Sequence, residues 1–373
     1  MRSPVELDEA GFLEVPASAV LIGEQERDAV LRVLDSGMLA QGPEVARFES
    51  AFSAHVEGRP CVAVNSGTSA LLLALLALGI GPGDEVVVPS FSFAATANAV
   101  ALTGARPVFA DIEPGQFCLD PAAVEAAVTT RTAAVVPVHL YGHPAPMGRI
   151  LEIAAKHGLA VVEDAAQAHL AALDGRPVGT FGEMAAFSFY PTKNMTAGEG
   201  GMVVCADEAV AHTVRLLRNQ GMERRYANEI VGYNMRMTDL HAAIGRVQLD
   251  ALPDRTAQRR RNAGFLSEEL VARIGDTGLV VPPTAQGAAP VWHQYTVRAP
   301  ERDRLRSRLA ERGVGTGVYY PTPIHRLPAY ALELDLPATE QAAAEVLSLP
   351  VHTALSQTQL EHVVTALTWA VER

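Results

Sequence analysis

Between residues 60 and 205, short apolar runs of β type alternate with stretches whose apolar positions recur at helical spacing. Cys61–Val64, Glu85–Val88, Pro107–Phe109, Ala133–Val138 and Leu159–Glu163 predict strands. Ser69–Leu78, Ala94–Leu102, Pro121–Ala127 and Met147–His157, lying between them, predict helices. This alternation predicts an α/β fold, a mostly parallel, doubly wound sheet with helices on both faces. Two more β-type runs follow, Met184–Phe189 and Gly201–Cys205. Upstream, residues 24–57 read as two amphipathic helices broken at Ser36-Gly37; downstream, helical patterns run from Glu208 to Arg218 and from Thr238 to about Arg273. The last hundred residues mix strands (Gln294–Arg298, Val318–Tyr320) with helices (Arg302–Arg312, Thr339–Leu347). The expected division is a large α/β domain over 1–250 and a smaller α+β domain over 251–373. Open α/β sheets bind ligands at the carboxyl ends of their strands, so the candidate chemistry is sought there.

Three segments sit at such ends. Asn65-Ser66-Gly67-Thr68-Ser69 follows a strand and opens an apolar helix. Unpaired N–H groups and a partial positive charge make that helix start a phosphate cradle in outline, although a plain N-cap explains the same residues. Glu163-Asp164-Ala165-Ala166-Gln167-Ala168-His169 places two acids at the end of an apolar strand. A buried carboxylate demands a partner, so one of them faces a cationic ligand atom or caps a helix. Phe187-Ser188-Phe189-Tyr190-Pro191-Thr192-Lys193-Asn194 runs into Gly198-Glu199-Gly200-Gly201. A lysine shielded there has its pKa lowered and becomes a candidate nucleophile and Schiff-base former. The run Gly79-Ile80-Gly81-Pro82-Gly83 follows a helix and precedes a strand, the wrong order for a dinucleotide site, and reads as a turn.

Composition sharpens the third segment. Of the 30 basic residues only Lys156 and Lys193 are lysine. Lys156 stands at a helix end as an ordinary surface charge, so Lys193 carries the interest. The net charge of −12 argues against broad nucleic-acid or anionic-membrane binding. Cys61, Cys118 and Cys205 have neither disulfide-framework nor zinc spacing, which suggests a reducing cytoplasm. Residues 1–9 turn acidic at once and hold no apolar signal core. The longest apolar run, Ala70 to Ile80, is too short to span a bilayer. His139 and His143 have metal-like spacing, but they flank a glycine after a β run with no third ligand nearby, and no metal is expected. Arg259-Arg260-Arg261 reads as a solvated face, Arg224 and Arg225 as surface charge or a diphosphate contact, and Trp292 and His293 as structural residues opening a strand. A phosphate cradle, a strand-end acid and a candidate Schiff-base lysine together point to pyridoxal 5′-phosphate.

The same residues carry a resemblance. From about residue 18 to 365 the chain resembles the nucleotide-sugar aminotransferases of the DegT type, in the fold type I class of pyridoxal-phosphate enzymes. The matching motifs run from Gly83 to Phe93, Val138 to Gly142, Glu163 to His169, Phe187 to Gly201, Gly232 to Met237 and Tyr320 to His325. The resemblance implies that Lys193 binds the cofactor covalently and moves the proton, and that Asp164 pairs with the pyridinium nitrogen. It also implies Gln167 near the phenolic oxygen, Phe93 on the ring face, and Gly67, Thr68 and Ser188 on the phosphate. Asn234 would reach the phosphate of a neighbouring subunit, implying a homodimer with shared sites, and His325 and Tyr320 would lie near the sugar. Glutamate is the implied amino donor and a nucleotide-linked keto-sugar the acceptor. The Thr196–Gly201 run looks like members that aminate 4-keto-6-deoxy sugars. Other expectations are a 3-keto sugar, a keto-cyclitol, or a non-enzymatic regulator that binds the cofactor. Where Lys193 stands, some members carry histidine and act as dehydratases; the lysine argues against that branch. The chain departs from the family at Leu170, where a small, glycine-like residue is usual.

Overall fold

The computed structural model describes residues 13–275 and 277–372, so the acidic stretch 1–9 lies outside the described residues. Its centre is a seven-stranded sheet: β1 (Cys61–Val64), β2 (Glu85–Pro89), β3 (Arg106–Ala110), β4 (Thr132–Val135), β5 (Ala160–Asp164), β6 (Met184–Ser188) and β7 (Gly201–Cys205). The spatial order is β1-β7-β6-β5-β4-β2-β3. Neighbours from β6 through β3 pair in parallel, while β7 runs antiparallel to both β6 and β1. The expected mostly parallel α/β sheet is therefore present, with one reversed strand. β1, β2, β6 and β7 are buried along their whole length, as strands covered on both faces must be.

The helix Gly67–Ala77 reads GTSALLLALLA, apolar all round, and is buried accordingly. Ser66 caps it by accepting from Ser69 N–H at 3.1 Å, so its open N-terminus stands at the carboxyl end of β1. The turn that follows uses Gly79 and Gly83 at positive φ (78° and 100°), which suits glycine.

Beyond the sheet, the strands Tyr295–Arg298 and Val346–Leu349 pair antiparallel. The helices Leu252–Arg273, Arg302–Glu311 and Gln357–Val371 contribute to a second core with them. Val15 joins that core and bridges Val314, so the amino-terminal end of the described chain packs with the carboxyl-terminal elements.

Three sequence expectations are corrected. The pattern from Thr238 to Arg273 is two helices, Asp239–Asp250 and Leu252–Arg273, because Pro253 lacks an N–H and opens the second. The stretch Thr339–Leu347 divides into a helix, Pro337–Glu345, and the strand from Val346; Arg302 Nη1 donates to the carbonyls of Ala343 and Val346 at that break. Val318–Tyr320 is no strand. Gly317 exchanges backbone hydrogen bonds with Ser348, and the chain then leaves the pair, Tyr319 accepting from the Tyr141 hydroxyl before Pro321.

Among the described residues no helix is long and apolar enough to cross a membrane. All three cysteines are free and buried.

Candidate active site

A cavity of about 510 Å³ opens at the carboxyl ends of β1, β2, β5 and β6. It is lined by Gly67, Thr68, Phe93, Asp164, Gln167, Ser188, Lys193 and Tyr320. Eight of the sequence-derived candidates thus meet in one place.

β5 explains the two adjacent acids, because successive strand residues face opposite sides. Glu163 accepts from His139 Nε2 (3.0 Å) and from the backbone N–H of Gly179, Phe181 and Gly182 (2.8, 2.8 and 2.9 Å). Burial alone would raise its pKa; the bonds from His139, Gly182 and Gly179 outweigh that and hold it below the usual carboxylate value. Asp164 turns into the cavity. Its Oδ2 accepts from Thr96 Oγ1 at 2.8 Å, Thr96 lies 3.0 Å from Ser92 Oγ, and Oδ1 accepts from Ala166 N–H at 3.2 Å. Burial nevertheless pushes its pKa up, against the pull of Thr96, Ala166 and the Lys193 charge. A cation arriving from the cavity side would favour the ionised form.

Lys193 follows β6 on a turn in which its N–H donates to the Tyr190 carbonyl at 3.0 Å. Burial of its amine pushes the pKa down to about 8, with Asp164 pulling the other way. Lys156 is exposed and ion-paired with Glu125. Gln167 is pinned at both ends: Oε1 accepts from Tyr141 N–H at 2.7 Å, and Nε2 donates to the Tyr320 hydroxyl at 3.1 Å. Phe93, 59% exposed, holds its ring 6.0 Å from that of Tyr320.

The cradle at Gly67 is tight, since a Cβ there would come within 2.7 Å of Ser188 Cβ. A glycine-backed helix N-terminus with hydroxyls at Thr68 and Ser188 suits a phosphate. Together with a buried carboxylate short of a cation and an amine of lowered pKa, this donor set fits pyridoxal 5′-phosphate.

Two candidates lie elsewhere. His325 is fully buried and does not line the cavity: Nδ1 lies 2.6 Å from Ser90 Oγ and Nε2 3.1 Å from Glu340 Oε1. In this chain it braces the end of β2 against the Ile324–Arg326 turn. Asn234 is exposed and outside this chain's cavity, in a segment bridged to Asn219.

Residues to which the sequence assigns no role in the site also reach it. Ser92, Tyr319, His293 and Gln294 line the cavity, and Thr96 backs Asp164. His293, expected to be a structural residue opening a strand, lines the cavity instead. Arg259, assigned to a solvated face, is buried and donates to the Trp292 and His293 carbonyls (2.9 and 3.4 Å). Leu170 sits at φ +66°, which accounts for the smaller residue usual there. His139 and His143 are spent on hydrogen bonds with Glu163, Ala145, Pro144 and Ala285. Among the described residues no group of three or more His, Cys, Asp and Glu side chains is placed to hold a metal.

The model of the DegT/DnrJ/EryC1/StrS aminotransferase family matches residues 20–368. The chain is 44% identical over 378 residues to a dTDP-3-amino-3,4,6-trideoxy-alpha-D-glucose transaminase of Streptomyces venezuelae, covering 100% of this chain and 99% of that one. It superposes on the crystal structure of DesV from S. venezuelae with a TM-score of 0.92 at 44% identity, over 96% of this chain and 100% of that one. NtdA from Bacillus subtilis, solved with bound cofactor PMP, gives a TM-score of 0.90 at 32% identity, over 96% of this chain and 86% of that one.

Proposed function

The chain belongs to the DegT/DnrJ/EryC1/StrS aminotransferase family, and from that membership we propose that it transfers an amino group from glutamate to the keto carbon of a nucleotide-linked hexose. The observation that carries this reading is the meeting of Lys193, Asp164 and the Gly67–Ser188 cradle in one cavity. The transaminase named at 44% identity favours an enzyme over the non-enzymatic regulator.

When bound, pyridoxal 5′-phosphate supplies an aldehyde that takes up an amine and a ring that absorbs carbanion charge. Lys193 would hold the cofactor through its amine; once displaced by the amine of the donor, Lys193 Nζ would take the proton from the donor's Cα and, in the return half, deliver one to the former keto carbon of the sugar. Asp164, kept in place by Thr96, would pair with the pyridinium nitrogen and stabilise its charge. Gly67, Thr68 and Ser188 would hold the phosphate, Phe93 would pack on the ring, and Gln167, locked by Tyr141 and Tyr320, would serve the phenolic oxygen. Tyr320 borders the sugar. Asn234 completes the phosphate site of a second subunit, which makes the active form a homodimer. We place the protein in the cytoplasm, with the boundary between a large and a small domain near residue 250 and the segment at Val15 packing with the small one.

Two ring positions have support. The Thr196–Gly201 run favours C4 of a 6-deoxy sugar, whereas the name of the S. venezuelae relative favours C3. The test is a visible absorption band that glutamate bleaches and 2-oxoglutarate restores, followed by product analysis with a panel of dTDP-, UDP- and GDP-linked 3-keto and 4-keto hexoses. A band untouched by glutamate overturns the transamination. Bleaching that no keto-sugar reverses overturns the substrate class.

A further inference from the structure

His293 enters the cavity just before the strand Tyr295–Arg298, after Trp292 has turned the backbone at φ +48°. It lines the same cavity as Lys193 and is only 6% exposed. Its Nδ1 lies 3.3 Å from Asn194 Oδ1, and the Asn194 amide nitrogen is already spent on the Val291 carbonyl at 3.0 Å. Asn194 therefore offers an oxygen, Nδ1 carries the proton, and Nε2 is left as a bare acceptor. Arg259 fixes the backbone on which the ring hangs, donating to the carbonyls of Trp292 and His293.

Nε2 makes no hydrogen bond among the described residues, yet it is not sealed away as both ring nitrogens of His169 are. Its remaining opening is toward the cavity. Burial, with the charges of Lys193, Arg259 and His169, holds the imidazole neutral well below its ordinary titration range, so the acceptor persists at neutral pH. The mechanism above leaves this acceptor unused. A neutral acceptor nitrogen on the cavity wall is matched by a hydroxyl donor.

Building on the proposed substrate class, we propose that His293 is a specificity-determining residue whose Nε2 accepts a hydrogen bond from a ring hydroxyl of the sugar, beside the carbon that Lys193 serves. A site built around a fixed acceptor rewards the hydroxyl and leaves a deoxy position with a buried group unpaired.

The test uses the cofactor-loaded enzyme and follows the two half-reactions separately through the visible band. Glutamate drives one; a panel of dTDP-linked 3-amino- and 4-amino-6-deoxyhexoses drives the other in reverse. For His293→Phe, which fills the volume without an acceptor, the sugar concentration at half-maximal rate should rise about tenfold, while the glutamate half-reaction changes by less than about twofold. His293→Gln, which restores an acceptor oxygen, should recover most of the loss and decides the matter if the phenylalanine variant does not fold. Equal slowing of both half-reactions, or an unchanged sugar constant in both variants, overturns the inference. A wild-type enzyme that reacts with glutamate but with none of the sugars instead overturns the substrate reading on which the inference rests.

Discussion

Lys156 and Lys193 carry the same amine in opposite surroundings, one exposed against Glu125 and the other buried beside Asp164. Lys193→Ala should abolish both the cofactor's visible band and turnover while leaving the circular dichroism spectrum unchanged. Lys156→Ala should alter none of these, and a Lys193 variant that keeps its band would refute the assignment. The lowered pKa gives a further expectation with a definite sign. An amine attacks a carbonyl only when neutral, and burial brings half-neutralisation to about 8. The rate at which cofactor-free protein takes up pyridoxal phosphate should rise about tenfold per pH unit below that value, then level off. A stopped-flow profile that is flat through this range would contradict it. At this scale the sequence was legible where chemistry is tied to a neighbour in the chain: Lys193 beside an aromatic strand, Asp164 at a strand end, Gly67 at a helix start. It was illegible for His293, Thr96 and Arg259, whose partners lie far along the chain or depend on a turn that composition does not announce.

The strand β5 shows how one element divides structural from chemical work. Its alternation sends Glu163 into a set of four donors and Asp164 into the cavity. Glu163→Gln removes the charge that His139 and the three backbone N–H groups share, and should cost about 2–4 kcal/mol in urea unfolding. Because the folded pKa of Glu163 is depressed, its stabilisation is present above the ordinary 4.5 and is lost as pH falls below it. The wild type should therefore lose stability more steeply on acidification than the glutamine variant; parallel curves would refute this. At the helix Gly67–Ala77, Gly67→Ala would drive a Cβ against Ser188. Equilibrium titration should show pyridoxal phosphate held at least about tenfold less tightly, with the fold retained. Elements with a clear apolar pattern, the helical period of Met147–His157 and the continuous run of Cys61–Val64, are readable from sequence to the residue. The stretches Val318–Tyr320 and Thr339–Leu347 are not. There the path is set by tertiary partners: Ser348, the Tyr141 hydroxyl and the Arg302 guanidinium.

At the scale of the whole molecule, apolar side chains gather on two exposed stretches. One runs along the first helix and its turn through Leu31, Leu34, Met38 and Leu39; the other contains Tyr226 (81% exposed) and Val231 (90%). Clustered apolar exposure marks an interface rather than ordinary surface, and Asn234 follows the second stretch. The proposed homodimer predicts a dimeric sedimentation coefficient, and mixing restores activity between two inactive variants, Lys193→Ala and Asn234→Ala. Each hybrid then holds one site with both residues intact, whereas failure to complement would place the whole site in one chain. The central proposal is that nitrogen passes from an amino acid to a nucleotide-linked sugar by way of the bound cofactor, with Lys193 moving the protons. The most direct measurement is mass spectrometry of the products formed from isotopically labelled glutamate and the panel of nucleotide keto-hexoses. The wild type should place labelled nitrogen in one nucleotide sugar, and Lys193→Ala in none. Label in no sugar with the wild type, or the same labelled sugar from the alanine variant, would contradict that proposal.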